Sequence, residues 1–289
     1  MVSTTEATTT FTALTVPRAW LASDTFHSVS STALPSIFIG HGSPMNTLEM
    51  NRFTETWQQL GMSLPRPQAI LMISAHWFVH ATAVTAMTQP RTIHDFSGFP
   101  DELFAYQYNA PGSPDLAHRV IELLTPMSVV ADDSQWGLDH GTWSVLAHLY
   151  PSADIPVVQL SINASLPLHE HVTIGRRLAP LCDEGVLVLG SGNIVHNLSR
   201  INWTAGDTGY DWADRFDVHV AELINSDPST VAQAVDHPDW AMAVPTPEHF
   251  LPLAYIAGIA SQRGSSIKRF NQSRTMGSLS MTSYIAADS

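Results

Sequence analysis

Cysteine is nearly missing from this 289-residue chain, where Cys182 stands alone. A single thiol excludes an intrachain disulfide and any multi-cysteine metal site. Lysine is as scarce, with Lys268 the sole example, and the four charged residue types make up 13% of the chain, against about 25% in an ordinary soluble domain. Bases are in deficit: 13 Lys and Arg face 26 Asp and Glu, for a formal charge of −13. A surface of that sign repels phosphate backbones and anionic lipids, which argues against nucleic-acid and membrane-surface partners. No run approaches the ~18 uninterrupted apolar residues of a membrane helix. The stretch from Met1 to Ser30 is rich in Thr, Ser and Ala, and it has neither the basic start nor the apolar run of a secretory signal. A cytoplasmic protein is the expectation.

What the chain does have is enough apolar matter for a core, 44% of its residues, and 14 histidines. Short, continuously apolar runs alternate with longer amphipathic ones, the pattern of an α/β domain whose strands are covered on both faces. The runs predict strands at Ser36–Gly40, Ala69–His76, Val84–Gln89, Val157–Asn163 and Val186–Gly190. Helices are predicted at Thr47–Leu60, Pro114–Leu124, Thr142–Leu149, Leu168–Leu181, Trp212–Asn225 and Glu248–Ala260, and the weakly alternating tail Ile267–Ala286 predicts an edge strand or hairpin. The expected fold is a single α/β domain over residues 34–289, with a largely parallel or mixed sheet flanked by helices. Residues 1–33 are expected to be a flexible extension.

Four histidines occupy positions that matter in such a fold. His41 follows the strand SIFIG, His76 ends AILMISAH, His196 lies just beyond VLVLG, and His249 opens the last long predicted helix. Ligands of open α/β sheets bind at the carboxyl ends of strands, so three strands bring an imidazole to one edge of the sheet. Glycines 40, 42, 190 and 192 are read as letting the backbone come close to a bound group. Any one of these histidines alone reads as a satisfied core residue, and it is the set that points to a metal. Imidazole with carboxylate or water suits Zn, Fe(II), Ni or Cu. Glu248, next to His249, is an equally possible donor, because neighbours on a helix point about 100° apart. His140, in a turn entering a helix that Asp139 could cap, is a candidate acid or proton shuttle. His169 and His171 read as solvent-facing, and His27, His80, His118, His148, His219 and His237 receive no role. The tryptophans at 57, 136, 143, 203, 212 and 240 read as packing residues, and Trp77 as a possible wall of an aromatic pocket.

At these residues the sequence resembles the class III extradiol ring-cleaving dioxygenases, in their 4,5-DOPA dioxygenase-like branch. The matching segments are LPSIFIGHGSPMN (34–46), PQAILMISAHW (67–77), HDFSGFPDELFAYQYNAPGSPDLA (94–117), GLDHGTW (137–143), LGSGNIVHNL (189–198) and PTPEHFLPL (245–253). The resemblance implies a metal site of His41, His76 and His249, with His196 as fourth ligand or nearby base and His140 as a second active-site histidine. It favours His249 over Glu248. It also implies Fe(II) for activity, with Zn(II) able to occupy the same site, and a small aromatic diol and O2 as substrates. In mechanism, His196 is the expected base and His140 the group that steadies charge or delivers a proton. Ser97 stands where the branch often carries an aromatic residue, a departure within the expected substrate pocket. Two rival readings use the same histidines: a zinc hydrolase with Glu248 or Asp139 as base, and a non-catalytic relative of the cell-motility-mediator type.

Overall fold

A computed structural model describes residues 33–288; the expected extension, His27 included, lies outside them apart from Ala33. The apolar runs pair into an eight-stranded sheet, and in chain order its strands are β1 (Ser36–Gly40), β2 (Ala69–Val79), β3 (Ala83–Thr85), β4 (Val130–Asp132), β5 (Val157–Asn163), β6 (Val186–Gly192), β7 (Ser266–Phe270) and β10 (Ser283–Ala287). Across the sheet they run β4-β3-β5-β2-β6-β1-β10-β7, while β8 (Arg274–Thr275) and β9 (Leu279–Ser280) form a separate hairpin. The central four, β5-β2-β6-β1, are parallel, and β10 and β7 extend the sheet antiparallel. The sheet is therefore mixed, as expected.

Helices of ten residues or more cover both faces: α1 (Arg52–Ser63), α2 (Pro114–Leu124), α3 (His140–Leu149), α4 (Leu168–Leu178), α5 (Asp211–Ser226) and α6 (Leu251–Arg263). Three of the six starts carry a side-chain cap. Asn51 accepts the backbone N–H groups of Phe53 and Thr54, Ser113 accepts that of Leu116 ahead of Pro114, and Asp139 accepts that of Thr142. Two apolar cores result. One lies under α4, α5 and α6 and includes Leu71, Val188, Phe216 and Tyr255; the other lies under α1 and α3 and includes Ile39, Trp57, Met72 and Trp143. Strands β1 and β6 are buried along their whole length, which is why their sequences do not alternate.

Several boundaries differ from expectation. The third strand is three residues long instead of six, and β4 was not foreseen, being short and half exposed. The tail supplies two strands of the main sheet and a hairpin; β10 is an interior strand, buried between β1 and β7. The last long helix begins at Leu251, so His249 stands in the turn before it.

Candidate metal centre

The topology brings the histidines together. Strands β2, β6 and β1 are neighbours with their carboxyl ends on one edge, so His76, His196 and His41 arrive side by side. His76 sits where the β2–β5 register shifts, between Ile73 and Phe78, and such an irregularity re-aims a side chain. A methyl group on Gly141 would press against Ser74 Oγ and His76 Cδ2, so glycine there lets the start of α3 lie against β2 and delivers His140. Ring centroids are 3.8 Å apart for His76–His140, 5.2 Å for His41–His76, 5.3 Å for His41–His249 and 5.1 Å for His76–His249. His196 lies parallel to His249 at 3.5 Å.

His196 is held by its backbone. Its N–H donates to Ala243 O at 2.9 Å, its main chain bridges to Leu279 in the hairpin, and Ser280 N–H donates to Val195 O at 2.9 Å. The hairpin is fastened from below by buried Asp217, which accepts the hydroxyls of Ser280 and Thr282 and pairs with Arg274. At the end of β6 the Asn193 N–H donates to His249 O at 2.9 Å. A methyl group on Gly192 would collide with that same carbonyl. The close approach that Gly40, Gly190 and Gly192 permit is thus to Met281, Pro252 and His249 of the chain itself, which corrects the expectation that they admit a bound group.

Hydrogen bonds assign the ring protons. Ser191 Oγ donates its proton to Gly141 O at 2.6 Å, so toward His41 Nδ1 at 2.8 Å it can only accept. His41 is therefore protonated at Nδ1 and carries its lone pair on Nε2. The Asp95 carboxylate accepts from His76 Nδ1 at 3.1 Å and His140 Nδ1 at 2.9 Å, and Glu248 accepts from His249 Nδ1 at 3.2 Å. All four rings keep Nε2 as the free donor atom. His41 Nε2 and His76 Nε2 lie 3.4 Å apart, a spacing that a proton shared between the two rings satisfies, or a metal ion that both rings ligate.

Protonation follows the surroundings. Burial, then the neighbouring imidazoles, pushes His41 and His249 well below the ordinary histidine value, and the same causes lower His196 to about 4. Burial also lowers His140, with His76 adding to the effect. Burial opposes charge on His76 as well, but the Asp95 hydrogen bond and the carboxylates of Asp139 and Glu248 outweigh it and raise the group. Asp95 is held well below the usual carboxylate range, because the hydrogen bonds from His140 and His76 overcome its desolvation. Neutral imidazoles with their second nitrogen bound to oxygen are the form in which histidine ligates a metal. Two groups of donor atoms lie within 4.8 Å of one another, His41–His76–His140 and His196–Glu248–His249. The donor set is imidazole and carboxylate without thiolate, and it fits a divalent transition metal with open positions.

Other expectations change here. Asp139 is buried and committed: it accepts from Ser74 Oγ, Thr142 N, Gln159 Nε2 and Trp136 Nε1, so it caps α3 as expected and is no free base for a hydrolase. His171 is buried against the Tyr255 hydroxyl at 2.9 Å, not solvent-facing. Trp203 is 78% exposed and packs into no core. Trp77 stacks on Trp136 at 5.5 Å. Ser97 is exposed, and the aromatic side chain beside the histidines is Phe96, edge-on to His140 at 5.5 Å. Sequence reasoning gave no role to Asp95 or Ser191. Asp95 lies inside the HDFSGFP segment and Ser191 between the glycines of LGSGN, and the need of each ligating imidazole for an oxygen partner was the available signal.

An α/β sheet that gathers buried imidazoles at its carboxyl edge is built to hold a metal where such folds bind their ligands. A family model described as "Catalytic LigB subunit of aromatic ring-opening dioxygenase" matches residues 35–283, and the chain belongs to that family of ring-opening dioxygenases. It is 50% identical over 259 residues to the 4,5-DOPA dioxygenase extradiol of Escherichia coli (strain K12), covering 88% of this chain and 95% of that protein. The Beta vulgaris protein of the same name is 40% identical over 239 residues, 80% of this chain and 88% of that one. The crystal structure of an uncharacterized Escherichia coli K12 protein superposes with a TM-score of 0.78 at 44% identity, covering 88% of this chain and all of that one.

Proposed function

We propose that this enzyme opens the ring of a catechol beside its two hydroxyls, with DOPA, cleaved at its 4,5 bond, as the substrate to try first, and that Fe(II) is held by His41, His76 and His249. The observation that carries the ligand assignment is the pair of facing Nε2 atoms of His41 and His76, whose Nδ1 protons are already committed. His249 joins them because Glu248 accepts its Nδ1 proton; that leaves Glu248 as the support of the ligand. Iron(II) supplies the redox chemistry with O2 and acidifies a bound catechol hydroxyl; Zn(II) would fill the same donors without that redox chemistry.

The chain's own residues handle protons and shape. His196, neutral and the more open of the stacked pair, takes the proton of the second hydroxyl at an imidazole nitrogen. His140, beside His76, steadies negative charge arising on oxygen and returns a proton. Phe96 offers an aromatic edge against which a flat ring packs. Both oxygen atoms of O2 end in the ring-opened product, so no external reductant is needed. Whether His196 also ligates the metal is decided by substitution, below. The catalytic domain spans residues 34–289 with 1–33 as an extension beyond it, a reading supported by the family match over 35–283. A cytoplasmic location is supported by the lone buried Cys182, and among the described residues no helix is long and apolar enough to cross a membrane.

The test is to load the metal-free protein anaerobically with Fe(II) or Zn(II), then admit O2 with a panel of catechols including L-DOPA. Oxygen uptake with the yellow absorbance of a semialdehyde is expected for iron and neither for zinc. Absence of both with stoichiometric iron bound overturns the catechol reading.

A further inference from the structure

Asp95 belongs to no helix or strand, yet one carboxylate serves three donors. Its Oδ2 accepts from His76 Nδ1 at 3.1 Å, while its Oδ1 accepts from His140 Nδ1 at 2.9 Å and from the His140 backbone N–H at 3.0 Å. The segment that carries it is fastened just ahead of it. Ile93 N–H donates to Leu138 O at 2.7 Å, Leu138 N–H donates to Arg91 O at 2.8 Å, and Trp143 Nε1–H donates to Ile93 O at 2.9 Å. Those anchors tie Asp95 to the segment that enters α3, so its carboxylate stands at the first turn of that helix, where the exposed N–H groups favour an anion. The two imidazoles it holds are 3.8 Å apart and tilted by 49°. A group supported in this way by a rigid frame can hold a side chain to a few tenths of an ångström.

We propose that Asp95 is a positioning residue that sets the tautomers of His76 and His140 together, so that metal binding at one ring and proton handling at the other depend on a single carboxylate. This rests on the functional reading above, in which His76 ligates and His140 meets the reacting oxygen. With Nδ1–H of both rings spent on Asp95, both Nε2 atoms present a lone pair. A carboxylate can accept from two rings, whereas a carboxamide has one acceptor oxygen and an NH2 that must donate. In Asp95→Asn one of the two rings therefore faces a donor. It must rotate or move its proton to Nε2, and it then loses the lone pair it offers to the site. Asp95→Glu keeps both acceptors one methylene further out and restores the pattern in part.

The test uses the full chain with 15N-labelled imidazoles, loaded with diamagnetic Zn(II), alongside chelator competition for metal affinity and steady-state kinetics of the iron form. In the unsubstituted protein, His76 and His140, assigned by single substitution, are both expected to give Nδ1–H signals. Asp95→Asn should move one of them to the Nε2–H form and weaken metal binding about 10- to 100-fold. At saturating iron it should lower kcat about 100-fold with KM within a factor of three. Asp95→Glu should bind metal more tightly than Asp95→Asn, which loss of fold alone would not produce. An Nε2–H signal from His76 or His140 in the unsubstituted protein overturns the proposal, even if the variants fail to fold. So does a folded Asp95→Asn with unchanged tautomers and affinity. Metal affinity and tautomers need no substrate, so a protein that cleaves no catechol would contradict the functional reading while leaving Asp95 to be judged by these two readouts.

Discussion

Two regions of this molecule bury histidine, and they do it differently. Between α4 and α6, His171 lies in the apolar layer against the Tyr255 hydroxyl and the Leu166 backbone. At the carboxyl edge of β1, β2 and β6, His41, His76, His140 and His249 each give Nδ1–H to an oxygen, and the Nε2 atoms of His41 and His76 face each other at 3.4 Å. Burial lowers His171 to about 4, as it lowers most of the site histidines. Desolvation therefore does not separate the two regions. What separates them is the company each ring keeps: the site histidines stand imidazole to imidazole, whereas His171 meets the Tyr255 phenol. The difference teaches that a shifted histidine marks a packing position as readily as a site, and that convergence of free donor atoms is the better criterion.

Removing a ring from each region should separate the two most strongly. His41→Ala or His76→Ala should abolish metal binding, measured by metal content after desalting, and turnover should fall more than 1000-fold, on the order of what a missing essential group costs. His171→Leu should keep full metal content and turnover within a factor of two, and its cost should be confined to thermal stability. His196→Ala divides the site itself: metal content should hold while turnover drops about 100- to 10,000-fold. Equal metal loss in His41→Ala and His196→Ala would make His196 a ligand and leave another group as base.

A smaller effect is expected at Gly192, whose hydrogen atom faces the His249 carbonyl. Gly192→Ala should push the turn bearing His249 away from β6, costing about 1–3 kcal/mol of stability and weakening metal binding, both read by thermal melts with and without Zn(II). Smaller again is Ser191→Ala, which removes the acceptor behind His41. Metal affinity should fall about tenfold by chelator competition, with little change in melting temperature.

The gentlest probe is pH. His171 is lowered to about 4 in the fold and returns to its ordinary value near 6.5 on unfolding. Below that value the unfolded chain binds the proton more readily, so the His171 contribution to stability falls as pH drops from about 6.5 toward 4, by up to about 3 kcal/mol. Denaturant melts of the unsubstituted protein and His171→Leu should converge in their pH slopes above pH 7 and diverge below 6.

The sheet edge was legible in the sequence because strands covered on both faces are written as unbroken apolar runs. SIFIG, AILMISAH and VLVLG announce themselves, and the residues that follow them are then known to lie at the carboxyl ends. The helices were legible from their amphipathic spacing and caps, including Pro114–Leu124 to the residue. His171 was misread, although its burial with Ile174 and Leu178 repeats at helical spacing on the inner face of α4. Asp95 was illegible for a different reason. It sits in an irregular segment whose path is fixed by long-range bonds to Leu138 and Trp143, and no local period reports such bonds. β10 was placed at an edge because its alternation is weak, and only pairing with both β1 and β7 makes it interior.

Whether the facing Nε2 atoms hold a metal is read from anomalous diffraction by crystals of the iron-loaded protein. A single strong iron peak is expected within bonding distance of the Nε2 atoms of His41, His76 and His249. A peak elsewhere on the chain, or an empty space between His41 and His76 in protein that binds iron stoichiometrically, would contradict it.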